Sequence, residues 1–280
     1  MQISLIREII KEALKEDIGK EDITTGSLLS QENFRRKAKI VAKSEGVLAG
    51  IIIAKEVFRI LDPETEFAFS SNEGELFYPG DTLLEFEAAS QAILEGERTA
   101  LNFLQKLSGI ATLTRKFVDK VSPYGVKILD TRKTTPLLRQ LEKYAVRVGG
   151  GINHRFGLDS GVLIKDNHIK IVGSIKKAVE LVRKKTPPLC KIEVEVTNID
   201  QLREAIESGV DMIMLDNIGY QNLKEAIQII RSQTKKIIVE VSGGITLENV
   251  EKIAKLKPDF ISVGKLTYLG VEVDMSLKVI

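Results

Sequence analysis

Residues 191–217 read KIEVEVTNIDQLREAIESGVDMIMLDN, and this stretch decides the fold. KIEVEV is a short β-branched run, and IDQLREAI follows Asn198 with apolar residues at helical spacing. MIMLD is a second apolar run. Strand, helix and strand in succession make a parallel unit. The same alternation extends outward from Val126: VKILDT, VLIKD, KKIIVEVS and DFISVG are further runs, and Ser174 before IKKAVELV and Thr246 before LENVEKIA are further helix caps. Six parallel strand candidates result.

An open doubly wound sheet and a (β/α) barrel share this periodicity, but their strand ends differ. The runs close with Asp130-Thr131-Arg132-Lys133, Lys165-Asp166, Glu195, Asp216-Asn217, Ser242-Gly243-Gly244 and Gly264. A barrel gathers all carboxyl ends at one mouth, whereas an open sheet concentrates function at a single crevice. Polar ends on every run favour a barrel, incomplete because only six runs are clear.

Upstream, KAKIVAKS, GVLAGI, EFAFS and TLLEFEA predict a β-rich first domain with antiparallel pairing. Ile3, Ile6, Ile10 and Leu14, with Leu5 and Ile9, make the amino-terminal stretch MQISLIREIIKEALKED an amphipathic helix. A long helix over 94–121, broken near Ser108-Gly109, links the halves. The expected division is an α/β domain over 1–109, a barrel over 110–267, and a tail over 268–280 that returns to the first domain.

The 280 residues, 43% of them apolar, suffice for a large core, and 41 Lys and Arg balance 39 Asp and Glu. That balance argues against nucleic acid or an anionic membrane as partner. The single Cys190 excludes an intrachain disulfide or a cysteine-rich zinc site and suits a reducing cytoplasm. No signal peptide or membrane-length apolar run is present, so a cytoplasmic protein is expected.

Charge is concentrated in residues 130–168, which hold both histidines together with Arg132, Lys133, Arg139, Lys143, Arg147, Arg155 and Lys165. Arg139, Lys143 and Arg147 recur every four residues, the spacing of a solvated helix face. Arg132 and Lys133 after a strand, His154-Arg155 after Gly149-Gly150-Gly151, and Lys165 ending an apolar run predict a polyanion site, since guanidinium groups match carboxylate and phosphate oxygens. The triple glycine alone reads equally as a flexible loop.

Ser242-Gly243-Gly244 follows a strand and precedes a predicted helix, so its N–H groups and the helix amino end suit a phosphate, with Gly264 completing the pocket. A plain tight turn is the other reading. Glu195 and Asp216 end adjacent strands and suit a divalent cation; oxygen ligands beside a polyphosphate indicate magnesium. Glu193 shares the Glu195 face by alternation, but the end position favours Glu195.

The motifs DTRKTTP, KYAVRVGGGINHR, LIKDNHI, IEVEVTN, MLDN, VSGGI and ISVGKLT, in that order, resemble those of the quinolinate phosphoribosyltransferase family, nicotinate-nucleotide pyrophosphorylase (carboxylating). EDITTG, EGVLAGI, GERTALNFLQKLSGIAT and the closing DMSLKVI extend the resemblance over nearly the whole chain. It implies conversion of quinolinate and phosphoribosyl pyrophosphate to nicotinate mononucleotide, pyrophosphate and CO2, in NAD biosynthesis. It also implies an open α/β sandwich followed by an incomplete barrel, in a head-to-tail homodimer that can assemble further.

By the same resemblance, Arg98 reaches the neighbouring subunit's site, and Thr131, Arg132, His154, Arg155 and Lys165 surround the quinolinate carboxylates. Lys133 serves phosphoribosyl pyrophosphate, Glu195 and Asp216 meet the ribose and Mg2+, and Ser242 to Gly244 with Gly264, Lys265 and Leu266 form the phosphate loops. Lys133, Glu195 and Asp216 are the expected catalytic set. Two positions depart from the pattern: Leu137 stands where glycine is frequent, and TYLG at 267–270 replaces THS, putting Tyr268 in place of a histidine. A paralogous group associated with molybdenum transport shares several of these motifs and is the alternative. A Schiff-base aldolase using Lys165 and a non-catalytic metabolite sensor are further readings; the chain has no helix-turn-helix or basic tail for a sensor's output.

Overall fold

The structure is a computed structural model that describes residues 3–29 and 34–280. Met1 and Gln2 of the expected amino-terminal helix lie outside the described residues, as do the side chains of Ile3 and Leu5. The chain divides into two compact units. One comprises Met1–Arg115, Thr135–Gly150 and Leu266–Ile280, the other Lys116–Thr134 and Gly151–Lys265.

The first unit begins with α1 (Ile3–Ile18) and α2 (Ile23–Leu28). β1 (Arg35–Ala42), β2 (Gly46–Val47), α3 (Ile51–Leu61), β3 (Glu66–Ser70), β4 (Leu76–Phe77) and β5 (Thr82–Ala89) follow, and α4 (Ser90–Val121) starts here. Its main sheet has the order β12-β1-β5-β3, where β12 is the closing strand Met275–Val279, and every pairing is antiparallel. Alternation puts Ala38, Ile40 and Ala42 of β1 and Leu84, Phe86 and Ala88 of β5 into the core, where Phe86 packs 4.3 Å from the Phe58 ring of α3. Ile6, Ile10 and Leu14 of α1 are buried, as the helical spacing predicts.

Three local expectations fail here. GVLAGI is strand only at Gly46–Val47, because Gly50 at φ 98 turns the chain and Ile51 starts α3. α4 runs unbroken through Ser108 and Gly109; Gly109 is there for close packing, since a Cβ on it would lie 2.3 Å from the Val271 carbonyl oxygen. The face of Arg139, Lys143 and Arg147 on α5 (Arg139–Val148) is not a solvated one: Arg147 is exposed, but Lys143 is 0% exposed. Beside it Glu142, also buried, accepts from the Thr135 N–H at 2.9 Å and pairs with Lys106 at 3.0 Å, so this helix carries charge inward.

The second unit contains β6 (Lys127–Leu129), β7 (Val162–Ile164), α6 (Asp166–Val172), α7 (Ile175–Arg183), β8 (Ile192–Val196), α8 (Ile199–Glu207), β9 (Met212–Asp216), α9 (Tyr220–Arg231), β10 (Ile238–Ser242), α10 (Val250–Ala254) and β11 (Phe260–Ser262). The short α11 (Lys265–Tyr268) follows. The sheet order is β6-β11-β10-β9-β8-β7 and every pairing is parallel. β6 and β7 stand at opposite ends of that order, so the barrel is incomplete. All six predicted strands are present.

Ser174 and Asn198 cap α7 and α8 by accepting from Lys177 and Gln201 N–H. Thr246 does not cap its helix, which starts at Val250 after a turn in which Asn249 accepts the Thr246 N–H. No helix among the described residues is long and apolar enough to cross a membrane.

Candidate active site

Parallel pairing brings the carboxyl ends of β6 to β11 to one rim of the second unit. Thr131, Arg132 and Lys133 follow β6, Lys165 follows β7, and Glu195 and Asp216 lie on β8 and β9. Ser242 to Gly244 end β10, and Gly264 with Lys265 follow β11. Arg98, exposed on α4, and buried Leu266 belong to the first unit.

Two segments are pinned together at the end of β6. Ile152 forms a parallel bridge to Leu129, which sets residues 152–154 along the strand's edge. Asp130, wholly buried, then accepts from the Asn153 side-chain amide at 2.5 Å and from the His154 N–H at 2.9 Å. One carboxylate thus fixes His154-Arg155 next to the segment carrying Arg132. Asp130 was legible only as a polar strand end.

Burial first, and the neighbouring Arg132 charge second, lower the Arg155 guanidinium from its ordinary value, with Glu193 opposing. Both arginines remain cationic, because guanidinium does not deprotonate in proteins. Two like charges held in mutual repulsion make a site that favours an anion. Lys165 adds a third cation: its Nζ donates to Glu195 Oε2 at 2.5 Å, and its N–H donates to His168 Nδ1 at 2.9 Å. His168, the second histidine, therefore organises the start of α6.

Beneath the rim, His154 meets two carboxylates. Its Nε2 lies 3.1 Å from Glu193 Oε2 and 3.5 Å from Glu240 Oε2, and both glutamates are buried. Burial lowers the ring, but the hydrogen bonds and charges of Glu193 and Glu240 outweigh it and push His154 up to about 10. Burial, then the Glu240 charge, pushes Glu193 up to about 7. His154 and Glu193 thus retain protons that they would release in water.

The Arg155 backbone nitrogen lies 2.7 Å from His154 Nδ1, so both ring nitrogens are engaged by protein, Nδ1 by this backbone and Nε2 by the carboxylates. One ligand atom from each of His154, Glu193 and Glu240 lies within 4.8 Å of the others. Glu193 is buried against His154, while Glu195 pairs with Lys165. Glu240 went unremarked in the sequence, although a charge inside the apolar run IIVEV at the spacing of Ser242 is a signal of an inward polar position.

At the far side, Gly264 leaves room for Lys133: a Cβ there would lie 3.0 Å from Lys133 Cδ. The Ser242 to Gly244 turn takes positive φ at Gly243 (91°) and Gly244 (61°), the backbone form that points successive N–H groups at an anion. α10 begins only at Val250, so the phosphate-binding potential lies in this turn and not in a helix end. The triple glycine is also not a flexible loop: a Cβ on Gly149 would lie 2.5 Å from the Ala111 carbonyl oxygen of α4.

Comparison with known proteins agrees with this geometry. Residues 22–108 match the family described as "Quinolinate phosphoribosyl transferase, N-terminal domain", and residues 110–278 match its C-terminal domain. The chain is 42% identical over 271 residues to a Synechocystis protein named "Probable nicotinate-nucleotide pyrophosphorylase [carboxylating]", covering 97% of this chain and 91% of that protein. It is 44% identical over 279 residues to a Methanocaldococcus jannaschii protein of the same name, covering 98% and 96%. Among solved structures, the nicotinate-nucleotide pyrophosphorylase from Francisella tularensis superposes with a TM-score of 0.93 at 39% identity, covering 100% of this chain and 98% of that one.

Proposed function

We propose that this chain, which belongs to the quinolinate phosphoribosyltransferase family, makes nicotinate mononucleotide from quinolinate and phosphoribosyl pyrophosphate, releasing pyrophosphate and CO2. The observation that carries the reading is the trio of Arg132, Arg155 and Lys165 around the ends of β6 and β7. It suits an aromatic acid with two adjacent carboxylates.

In the first step the pyridine nitrogen forms a bond to the anomeric carbon as the bond to pyrophosphate breaks. Lys133 and the Ser242 to Gly244 turn take the leaving charge, while Glu195 and Asp216 face the positive charge that develops on the ribose. Loss of CO2 then leaves an electron pair on the ring carbon beside the cationic nitrogen, and that carbon takes a proton. Thr131 accepts the Lys133 N–H at 3.1 Å and so shapes the start of this loop. His154, with both ring nitrogens engaged by protein, serves by holding Arg155 in place.

Mg2+ fits Glu195 and Asp216 as part of the same proposal. They lie on adjacent strands, Glu195 level with Met214 and Asp216 two residues further along, and the donors are hard oxygens. When bound it would neutralise pyrophosphate. Arg98, exposed in the first unit, suits donation across a homodimer interface. A cytoplasmic location fits the single cysteine.

The test is incubation of the purified protein with Mg2+, phosphoribosyl pyrophosphate and quinolinate labelled in the carboxylate next to nitrogen. Equimolar labelled CO2 and nicotinate mononucleotide are expected. Turnover with nicotinate but not quinolinate would refute the reading.

A further inference from the structure

β9 and β10 finish level with each other, Asp216 opposite Ser242, and the ladder continues one step further because the Asn217 N–H donates to the Ser242 carbonyl at 3.0 Å. Asn217 then enters the left-handed region with φ 53, which asparagine tolerates better than most side chains. That backbone turn brings its side chain back on the preceding residue, and its Nδ2 donates to Asp216 Oδ2 at 2.8 Å. The same side chain lies against the phosphate-loop turn. A Cβ on Gly243 would sit 2.3 Å from Asn217 Oδ1 and 2.6 Å from its backbone nitrogen.

We propose that Asn217 is a positioning residue for phosphoribosyl pyrophosphate, fixing the Asp216 carboxylate and the Ser242 to Gly244 turn relative to each other. The inference rests on the function proposed above. Asp216 Oδ2 is occupied by the amide, which leaves Oδ1 to face the ribose side. The turn can approach Asn217 only because Gly243 has no side chain. A substrate spanning both groups thus meets a carboxylate and a set of N–H donors whose spacing Asn217 sets. Quinolinate, held by Arg132, Arg155 and Lys165, does not depend on this contact.

If Asn217 were needed only as a turn former, glycine would replace it without loss. Asn217→Gly keeps the left-handed backbone and removes the amide. Asn217→Asp also suits that backbone but sets a second carboxylate against Asp216. Equilibrium binding of each substrate, steady-state kinetics and thermal midpoints are measured on the full chain with Mg2+ present.

The expected result for Asn217→Gly is a loss of about tenfold in phosphoribosyl pyrophosphate affinity, the scale of one hydrogen bond to a charged group. Binary quinolinate affinity should hold within about twofold and the midpoint within about 2 °C, since the site is exposed. Asn217→Asp should lose more. The proposal is overturned if Asn217→Gly binds phosphoribosyl pyrophosphate as the parent does, or if both substrates weaken in parallel. A parent protein that binds no phosphoribosyl pyrophosphate would defeat the functional reading itself.

Discussion

Lys165 on the loop after β7 donates to Glu195 of the adjacent strand β8 at 2.5 Å, and the pair stands at the rim with the lysine half-exposed and the carboxylate mostly covered. Each charge is held where the other can release it. On the proposed function, an incoming quinolinate carboxylate would compete for the ammonium and leave Glu195 to the ribose. Lys165→Met should lower kcat/KM for quinolinate by about 10²-fold or more, the scale of removing one preorganised charge from an active site. Steady-state kinetics decide it; normal turnover would show that the anion binds elsewhere.

Gly264 and Lys133 share one space. Gly264→Ala places a methyl group 3.0 Å from Lys133 Cδ, so the lysine must move. KM for phosphoribosyl pyrophosphate should rise about tenfold, with thermal stability within about 1 kcal/mol of the parent, since only a flexible side chain yields. An unchanged KM would mean that Lys133 does not serve that substrate.

Leu137 occupies φ 67 and is 88% exposed, a backbone form that glycine adopts without strain. The left-handed form costs a side chain roughly 1–2 kcal/mol, while glycine's extra unfolded-state freedom returns about 0.5–1. Leu137→Gly should therefore stabilise the fold by about 0.5–1 kcal/mol, read as a higher midpoint in urea. A lower midpoint would assign Leu137 a packing role that its exposure does not suggest.

The trio His154, Glu193 and Glu240 makes stability fall with rising pH. Glu193 is raised from 4.5 to about 7 and His154 from 6.5 to about 10, so the folded protein binds protons that the unfolded chain releases. The contribution is complete below about pH 4.5, declines through 7 and is gone above 10. Thermal midpoints from pH 6 to 10 should drop, and less steeply for Glu240→Gln, which removes a charge that raises both groups. An equal drop in the two proteins would place the titrating group elsewhere.

The sequence by itself determined the parallel half of the molecule. Each β-branched run between Val126 and Gly264 became a strand, because periodicity of two or of 3.6 records which side of its own backbone a residue presents. The rim was legible for the same reason: in a parallel sheet every strand's carboxyl end lies on one side, so a list of strand ends is already a list of neighbours. Motif order then supplied the family.

Only the tertiary structure decided which residues meet. Asp130 with Asn153 and His154, Glu193 with Glu240, and Asn217 with Gly243 are joined by strand register, which local pattern does not encode. The burial of Lys143 and the unbroken course of α4 through Gly109 follow from what packs against them, a property of distant segments. Local propensity is worth a few tenths of a kcal/mol per residue, whereas a backbone carbonyl such as that of Val271, seated against a bare glycine, leaves no room for an alternative.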